Sequence, residues 1–159
     1  MKKKLVLSAV VVLTLLALVS IGLAAGRMKM AEAGGKIILA PEQLSWQEGP
    51  AALPGSKMTV LEGDPGRRGF FVMRLKLPAG AKIPPHTHKN RERVTIISGK
   101  FNLAMGDKPE NPIVLPAGGY FSLAPGHVHN AWVDEETVLQ ISTAGPWTFR
   151  PVSKEPEKK

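Results

Sequence analysis

Residues 70–99 read FFVMRLKLPAGAKIPPHTHKNRERVTIISG, and this stretch contains the strongest structural signals in the chain. Between Phe71 and Leu77 every second residue is apolar, and a period of two is typical of a half-buried β-strand. Pro78-Ala79-Gly80 then breaks the pattern. The β-branched run from Val94 to Ile97 ends at Ser98-Gly99, which favours a tight turn. The stretch therefore predicts short strands joined by turns.

The same alternation of short apolar runs and turn residues continues to the end of the chain. The runs recur about every 8–12 residues, without an amphipathic helix between them, as in an all-β sandwich or small barrel. The content of Gly and Pro, 16 and 14 of 159 residues, argues against a helical bundle. The predicted strands are Met58–Leu61, Phe70–Leu77, Val94–Ile97, Lys100–Ala104, Ile113–Leu115, Tyr120–Leu123, Ala131–Val133 and Thr137–Ser142.

Composition excludes several classes of protein. There is no cysteine, so disulfides, thiolate metal sites and a cysteine nucleophile are all excluded. The net charge is +8, but residues 1–33 hold five basic residues and one acid, which leaves +4 for the remainder. A mildly basic domain of this kind does not indicate a nucleic-acid partner.

The N-terminus predicts export. Three lysines precede an apolar run from Leu5 to Ala25, and Ala31-Glu32-Ala33 offers small residues where a signal peptidase cleaves. Residues 1–33 are therefore a signal peptide or, alternatively, an uncleaved membrane-anchor helix. Either way we expect a periplasmic or secreted domain, or one anchored facing outward, with no other membrane contact. We predict a single β-domain over residues 36–152 and a disordered charged tail over residues 153–159.

All four histidines fall into two pairs, His86/His88 and His127/His129. Residues two apart in an extended segment point to the same side, so each pair can direct two imidazoles into one space. Glu92 follows His88 by four residues and can rejoin that side. Imidazoles with a carboxylate form a suitable site for a divalent transition metal. The alternative is that the pairs and Glu92 are ordinary surface residues.

The spacing around the first pair resembles the cupin family. Its first motif, G-x5-H-x-H-x3,4-E-x6-G, is matched at every fixed position from Gly80 through His86, His88 and Glu92 to Gly99. The second motif, G-x5-P-x-G-x2-H-x3-N, is matched by Gly118, Gly126 and His129, whereas Ala124 and Val133 replace its proline and asparagine. A branch of small, exported, single-domain bacterial cupins is also resembled in four places, namely Trp46, residues 62–65, residues 91–95 and Gly145-Pro146-Trp147.

The resemblance implies an antiparallel jelly-roll barrel with a metal at its centre. Carried over by position, the metal ligands are His86, His88, Glu92 and His129. The ion is Mn, Fe, Ni, Cu or Zn, since this ligand set does not distinguish them. His127 matches no family ligand, which leaves either a role beside the ligands or an ordinary surface position. Cupins commonly form dimers, so a homodimer is a further expectation.

Three functions remain open at this stage. One is a mononuclear metal enzyme of the dioxygenase, isomerase or lyase type, acting on a small molecule. The second is a non-catalytic module that binds a metal or small ligand, and the third is a structural or interaction domain in which the metal only stabilises the barrel. The candidate acid–base residues outside the ligand set are His127 and Tyr120. For Trp132 and Trp147 we expect core packing, with cavity lining as the alternative.

Overall fold

The structure, a computed structural model, describes residues 35–152. The predicted signal or anchor segment, residues 1–33, and the predicted tail, residues 153–159, lie outside the described residues. Both stay predictions. Within residues 35–152, no helix has the length and apolarity needed to cross a membrane.

The described residues form two antiparallel sheets. The strands are β1 (Gln47–Glu48), β2 (Lys57–Glu62), β3 (Gly69–Leu77), β4 (Lys82–Thr87), β5 (Glu92–Ser98), β6 (Lys100–Met105), β7 (Ile113–Pro116), β8 (Tyr120–Leu123), β9 (His129–Trp132), β10 (Thr137–Gly145) and β11 (Arg150–Pro151). A short 3-10 helix, Pro41–Gln43, precedes the first strand. One sheet has the strand order β1-β2-β3-β10-β5-β8, and the other has the order β11-β4-β9-β6-β7. The prediction of an all-β antiparallel fold is confirmed.

A single apolar core lies between the sheets. The four alternate residues of β3 from Phe71 to Leu77 are buried in it, as the period of two predicts. Phe101 and Leu103 of β6 join the same cluster from the other sheet. Because both sheets contribute to this cluster, side chains that point inward from either one meet in the same interior.

The turn between β5 and β6 explains the last glycine of the first motif. Gly99 has φ +76°, a conformation that residues with a side chain rarely adopt. A Cβ at this position would also lie 2.6 Å from the carbonyl oxygen of Glu136. Glycine therefore allows the turn to pack against the start of β10.

Strands β1, β4 and β11 were not predicted, and several other strands have bounds that differ from the prediction. Two of these differences, in β4 and β9, concern the candidate site. Strand β4 was not predicted because it contains Pro84 and Pro85, which cannot donate backbone hydrogen bonds and argue against a strand. Strand β9 begins at His129, two residues before the predicted start at Ala131. In both cases the additional strand residues include histidines of the predicted site.

Candidate metal centre

An irregularity in β4 turns His86, and His88 just after the strand, toward the interior. Ile83 pairs with Ala131, whereas His86 pairs with His129, so the register shifts between the two pairs. In a regular strand, residues three apart point to opposite faces, yet Ile83 and His86 are both buried. The bulge at the two prolines therefore resets the alternation. His88, two residues after His86, is buried as well.

His129 enters the same space from β9. It is the cross-strand partner of His86, and the two ring centroids are 4.1 Å apart. The turn before β9 is tied to the first histidine pair, because the N–H of Gly126 donates to the carbonyl oxygen of His88 at 2.9 Å. The two segments that carry the histidines thus hold each other in place through their main chains.

Glu92, the first residue of β5, completes the cluster. Its side chain is buried, with Oε1 3.3 Å from Nε2 of His88 and Oε2 3.2 Å from Nε2 of His129. The adjacent arginines, Arg91 and Arg93, are exposed and are therefore on the other side of the strand. The sequence prediction that Glu92 faces the same space as His86 and His88 agrees with this placement.

Main-chain carbonyl groups orient all three imidazoles. Nδ1–H of His86 donates to the carbonyl oxygen of Pro84 at 2.8 Å. Nδ1–H of His129 donates to the carbonyl oxygen of His127 at 3.1 Å. Nδ1–H of His88 donates to the carbonyl oxygen of Thr148. Because a carbonyl oxygen only accepts, Nδ1 carries the proton in each neutral ring, and each Nε2 presents a lone pair.

The inward-facing atoms repel one another unless a cation lies between them. Nε2 of His86 and Nε2 of His88 are 3.0 Å apart, although both are acceptors in this tautomer. Oε2 of Glu92 is buried without a hydrogen-bond donor, because the nearby Nε2 of His129 is itself an acceptor. A divalent cation satisfies all of these groups at once. His86, His88 and His129 thus form a group that can hold a metal ion, with ligand atoms within 4.8 Å of one another.

The environment keeps the histidines of the first pair neutral and Glu92 charged. Burial, reinforced by the neighbouring His129, lowers the pKa of His86 to about 4. Burial also lowers the pKa of His88. Burial by itself raises the pKa of Glu92, but these imidazoles lower it below its usual value when they are protonated, through a hydrogen bond from His129 and the charges of His88, His129 and His86. Neutral imidazoles and an ionised carboxylate are the states that bind a metal.

The cavity beside the cluster is small and largely apolar. Its volume is about 30 Å³, and because a water-sized group needs about 10–15 Å³ of such space, the cavity holds about two such groups. Apart from the three histidines, Glu92 and Trp147, its walls are aliphatic or phenylalanine side chains, namely Leu53, Leu75, Ile83, Val94, Phe101, Phe121, Ala131, Leu139, Ile141 and Phe149.

Comparison with protein families identifies the fold and the motif. The family model described as the ChrR Cupin-like domain matches residues 34–148. The chain belongs to this cupin family. The match covers the motif residues Gly80 to Gly99 and His129, on which the sequence resemblance depended. A comparison with curated proteins found no significant match.

Solved structures agree with the jelly-roll cupin fold. An RmlC-like cupin from Shewanella frigidimarina has a TM-score of 0.56 at 17% identity, covering 69% of this cupin and 90% of that chain. The polyketide cyclase RemF from Streptomyces resistomycificus has a TM-score of 0.62 at 13% identity, covering 74% of this cupin and 86% of that chain. A putative acetylacetone dioxygenase from Methylibium petroleiphilum has a TM-score of 0.59 at 22% identity, covering 74% of this cupin and 86% of that chain.

The segment after β10 adds two residues to the site of this cupin. The ring of Phe149 stacks on His86, with centroids 4.2 Å apart, and that of Trp147 stacks on His88 at 5.8 Å. Between them, Thr148 accepts the hydrogen bond from His88. Phe149 was not predicted, whereas Trp147 packs against the core, as expected, and also lines the cavity, which was the alternative. Sequence spacing contains no signal for a contact between residues 60 positions apart.

The other candidates do not lie among the clustered side chains. His127 is exposed, and its carbonyl group, rather than its ring, contacts the site by holding His129. Tyr120 is 56% exposed and is absent from the cavity walls. Trp132 lies in β9 but is likewise absent from those walls. Of the described side chains that line the cavity, no acid or base stands outside the ligand set.

Proposed function

We propose that this cupin binds one divalent transition-metal ion through Nε2 of His86, His88 and His129 and the carboxylate of Glu92, and that the site takes a small molecule. The observation that carries the proposal is the orientation of the rings. All three Nδ1 atoms are engaged by carbonyl groups, so three lone pairs converge beside a buried carboxylate. This is the donor arrangement of a metal site.

The donor set narrows the choice of ion. Imidazole nitrogen with carboxylate oxygen suits Mn(II), Fe(II), Ni(II), Cu(II) or Zn(II), and intrinsic affinity favours copper and zinc. Closed structural zinc sites generally use thiolates, and this chain has no cysteine. A bound ion supplies Lewis acidity and an open position for a small ligand.

A mononuclear metal enzyme of the dioxygenase, isomerase or lyase type is the second candidate. The structural similarity to a polyketide cyclase and a putative acetylacetone dioxygenase supports it. The cavity of about 30 Å³ and the lack of a further acid or base on its walls favour non-catalytic binding instead. Catalysis and non-catalytic binding differ in one observable: only if this cupin is an enzyme is the small molecule consumed when it is incubated with the metal-loaded protein.

Metal removal tests the proposal directly. At pH 7 the low pKa of His86, about 4, leaves that imidazole neutral, so protons do not compete with the ion. A free ion at 100 times its Kd should raise the free energy of unfolding by about 2.7 kcal/mol. Thermal unfolding with Zn(II), Mn(II) or chelator measures this metal-dependent shift in the free energy of unfolding.

The double variant His86→Ala/His129→Ala is the matched control for this shift, and it should show none. Identical unfolding of wild-type protein with metal and with chelator would contradict the proposal.

We also propose that the domain functions outside the cytoplasm, on the basis of the lysines and the apolar run that precede Ala31-Glu32-Ala33. Cleavage should leave a mature N-terminus near Gly34. Mass spectrometry of the protein from the periplasmic or secreted fraction tests this expectation. An intact Met1 on a cytoplasmic species would contradict it.

A further inference from the structure

The cavity beside the histidines limits the size of any ligand. A water-sized group needs about 10–15 Å³ of such space, so a volume of about 30 Å³ admits about two or three non-hydrogen atoms. Trp147 and Phe149 set this limit on one side, since each stacks on a histidine and lines the cavity.

The indole of Trp147 also contains an unused hydrogen-bond donor. Its Nε1–H is buried and has no acceptor among the described residues. Buried donors are nearly always satisfied, by protein, water or a ligand. Apart from Trp147 itself, the described side chains around the cavity are hydrocarbon or belong to the four residues assigned to the ion. A molecule in the cavity can therefore supply the acceptor that this N–H lacks.

We propose that Trp147 determines the ligand specificity of the site: its ring excludes all but molecules of about two or three non-hydrogen atoms, and its Nε1–H donates to an acceptor atom of the molecule that enters. The ligand class is therefore a small molecule with an acceptor atom, such as a diatomic molecule or a triatomic anion. This inference rests on the proposed metal site.

Azide and acetylacetone, added to Cu(II)-loaded protein, test the two roles of Trp147 separately. Azide is a linear triatomic anion, whereas acetylacetone exceeds the cavity. Wild-type protein should bind azide, seen as a new visible absorption band, and should show no spectral change with acetylacetone. Trp147→Phe keeps an aromatic ring but removes the N–H, so azide affinity should fall about 10-fold. Trp147→Ala should gain acetylacetone binding.

Trp132→Phe is the matched control, because Trp132 does not line the cavity. It should bind both probes as the wild type does. Acetylacetone binding by wild-type protein, or unchanged azide affinity in Trp147→Phe, would overturn the inference while leaving the metal site intact. Failure of wild-type protein to bind Cu(II) would overturn the proposed metal site and the inference together.

Discussion

Alanine at His86, His88 or His129 is expected to lower metal affinity by more than about 100-fold, because each substitution removes a ligand rather than a group that merely orients one. The three rings supply the converging Nε2 atoms of the cluster, and no other imidazole or cysteine of the described residues lines the cavity to replace them. Metal analysis after dialysis, followed by calorimetric titration of each variant, measures the loss.

His127→Ala is the matched control in the second histidine pair. Its side chain is exposed, and the hydrogen bond that holds His129 comes from its main-chain carbonyl group, which alanine retains. Metal affinity should therefore change by less than about 3-fold, within the variation common for surface substitutions. Equal losses in His127→Ala and His129→Ala would mean that the wrong member of the pair has been assigned to the site.

Glu92→Gln should weaken metal binding by about 10-fold or more, since it preserves size but removes the charge that faces the ion. The effect on the metal-free protein should have the opposite sign. Without an ion, the buried carboxylate faces the Nε2 lone pairs of His88 and His129 at 3.3 and 3.2 Å. The amide nitrogen of glutamine can donate to one of those lone pairs, so chelated Glu92→Gln should be more stable by about 1 kcal/mol.

Unfolding of wild-type and Glu92→Gln protein, with metal and with chelator, separates these effects. Arg93→Gln is a suitable control because Arg93 lies next to Glu92 and is exposed. An exposed ion pair contributes only about 0–1 kcal/mol, so this control should alter neither metal affinity nor the stability of the chelated protein appreciably. If Glu92→Gln binds metal as tightly as wild type, the carboxylate is not a ligand.

Period-two patterns predicted the regular strands because they report directly on which face is buried. Strand β3 shows this best, since its alternation coincides with the buried face of the sheet. Strand β4 was not predicted because Pro84 and Pro85 lie at a bulge. There the backbone conformation is determined by pairing with β9 and not by the strand propensity of the residues themselves.

The residues of the candidate site also differ in how well the sequence predicts them. His86, His88 and Glu92 are close in sequence, so spacing and the motif resemblance predicted that they meet. His129 followed from the second motif, although its spacing alone did not distinguish it from His127. Phe149 was not predicted, and for Trp147 cavity lining was only the alternative to core packing. Both residues come close to the histidines next to the pairing of β11 with β4, a long-range contact without a sequence pattern.

Electron paramagnetic resonance of Cu(II)-loaded protein identifies the nitrogen ligands of the ion. We expect one Cu(II) per chain, with coupling to the nitrogens of three imidazoles in wild type and in His127→Ala. Each single alanine variant at His86, His88 or His129 should lose one of the three couplings or lose the ion. Coupling to fewer than three imidazoles in wild type, or a spectrum unchanged by those substitutions, would mean that these three histidines do not hold the ion together.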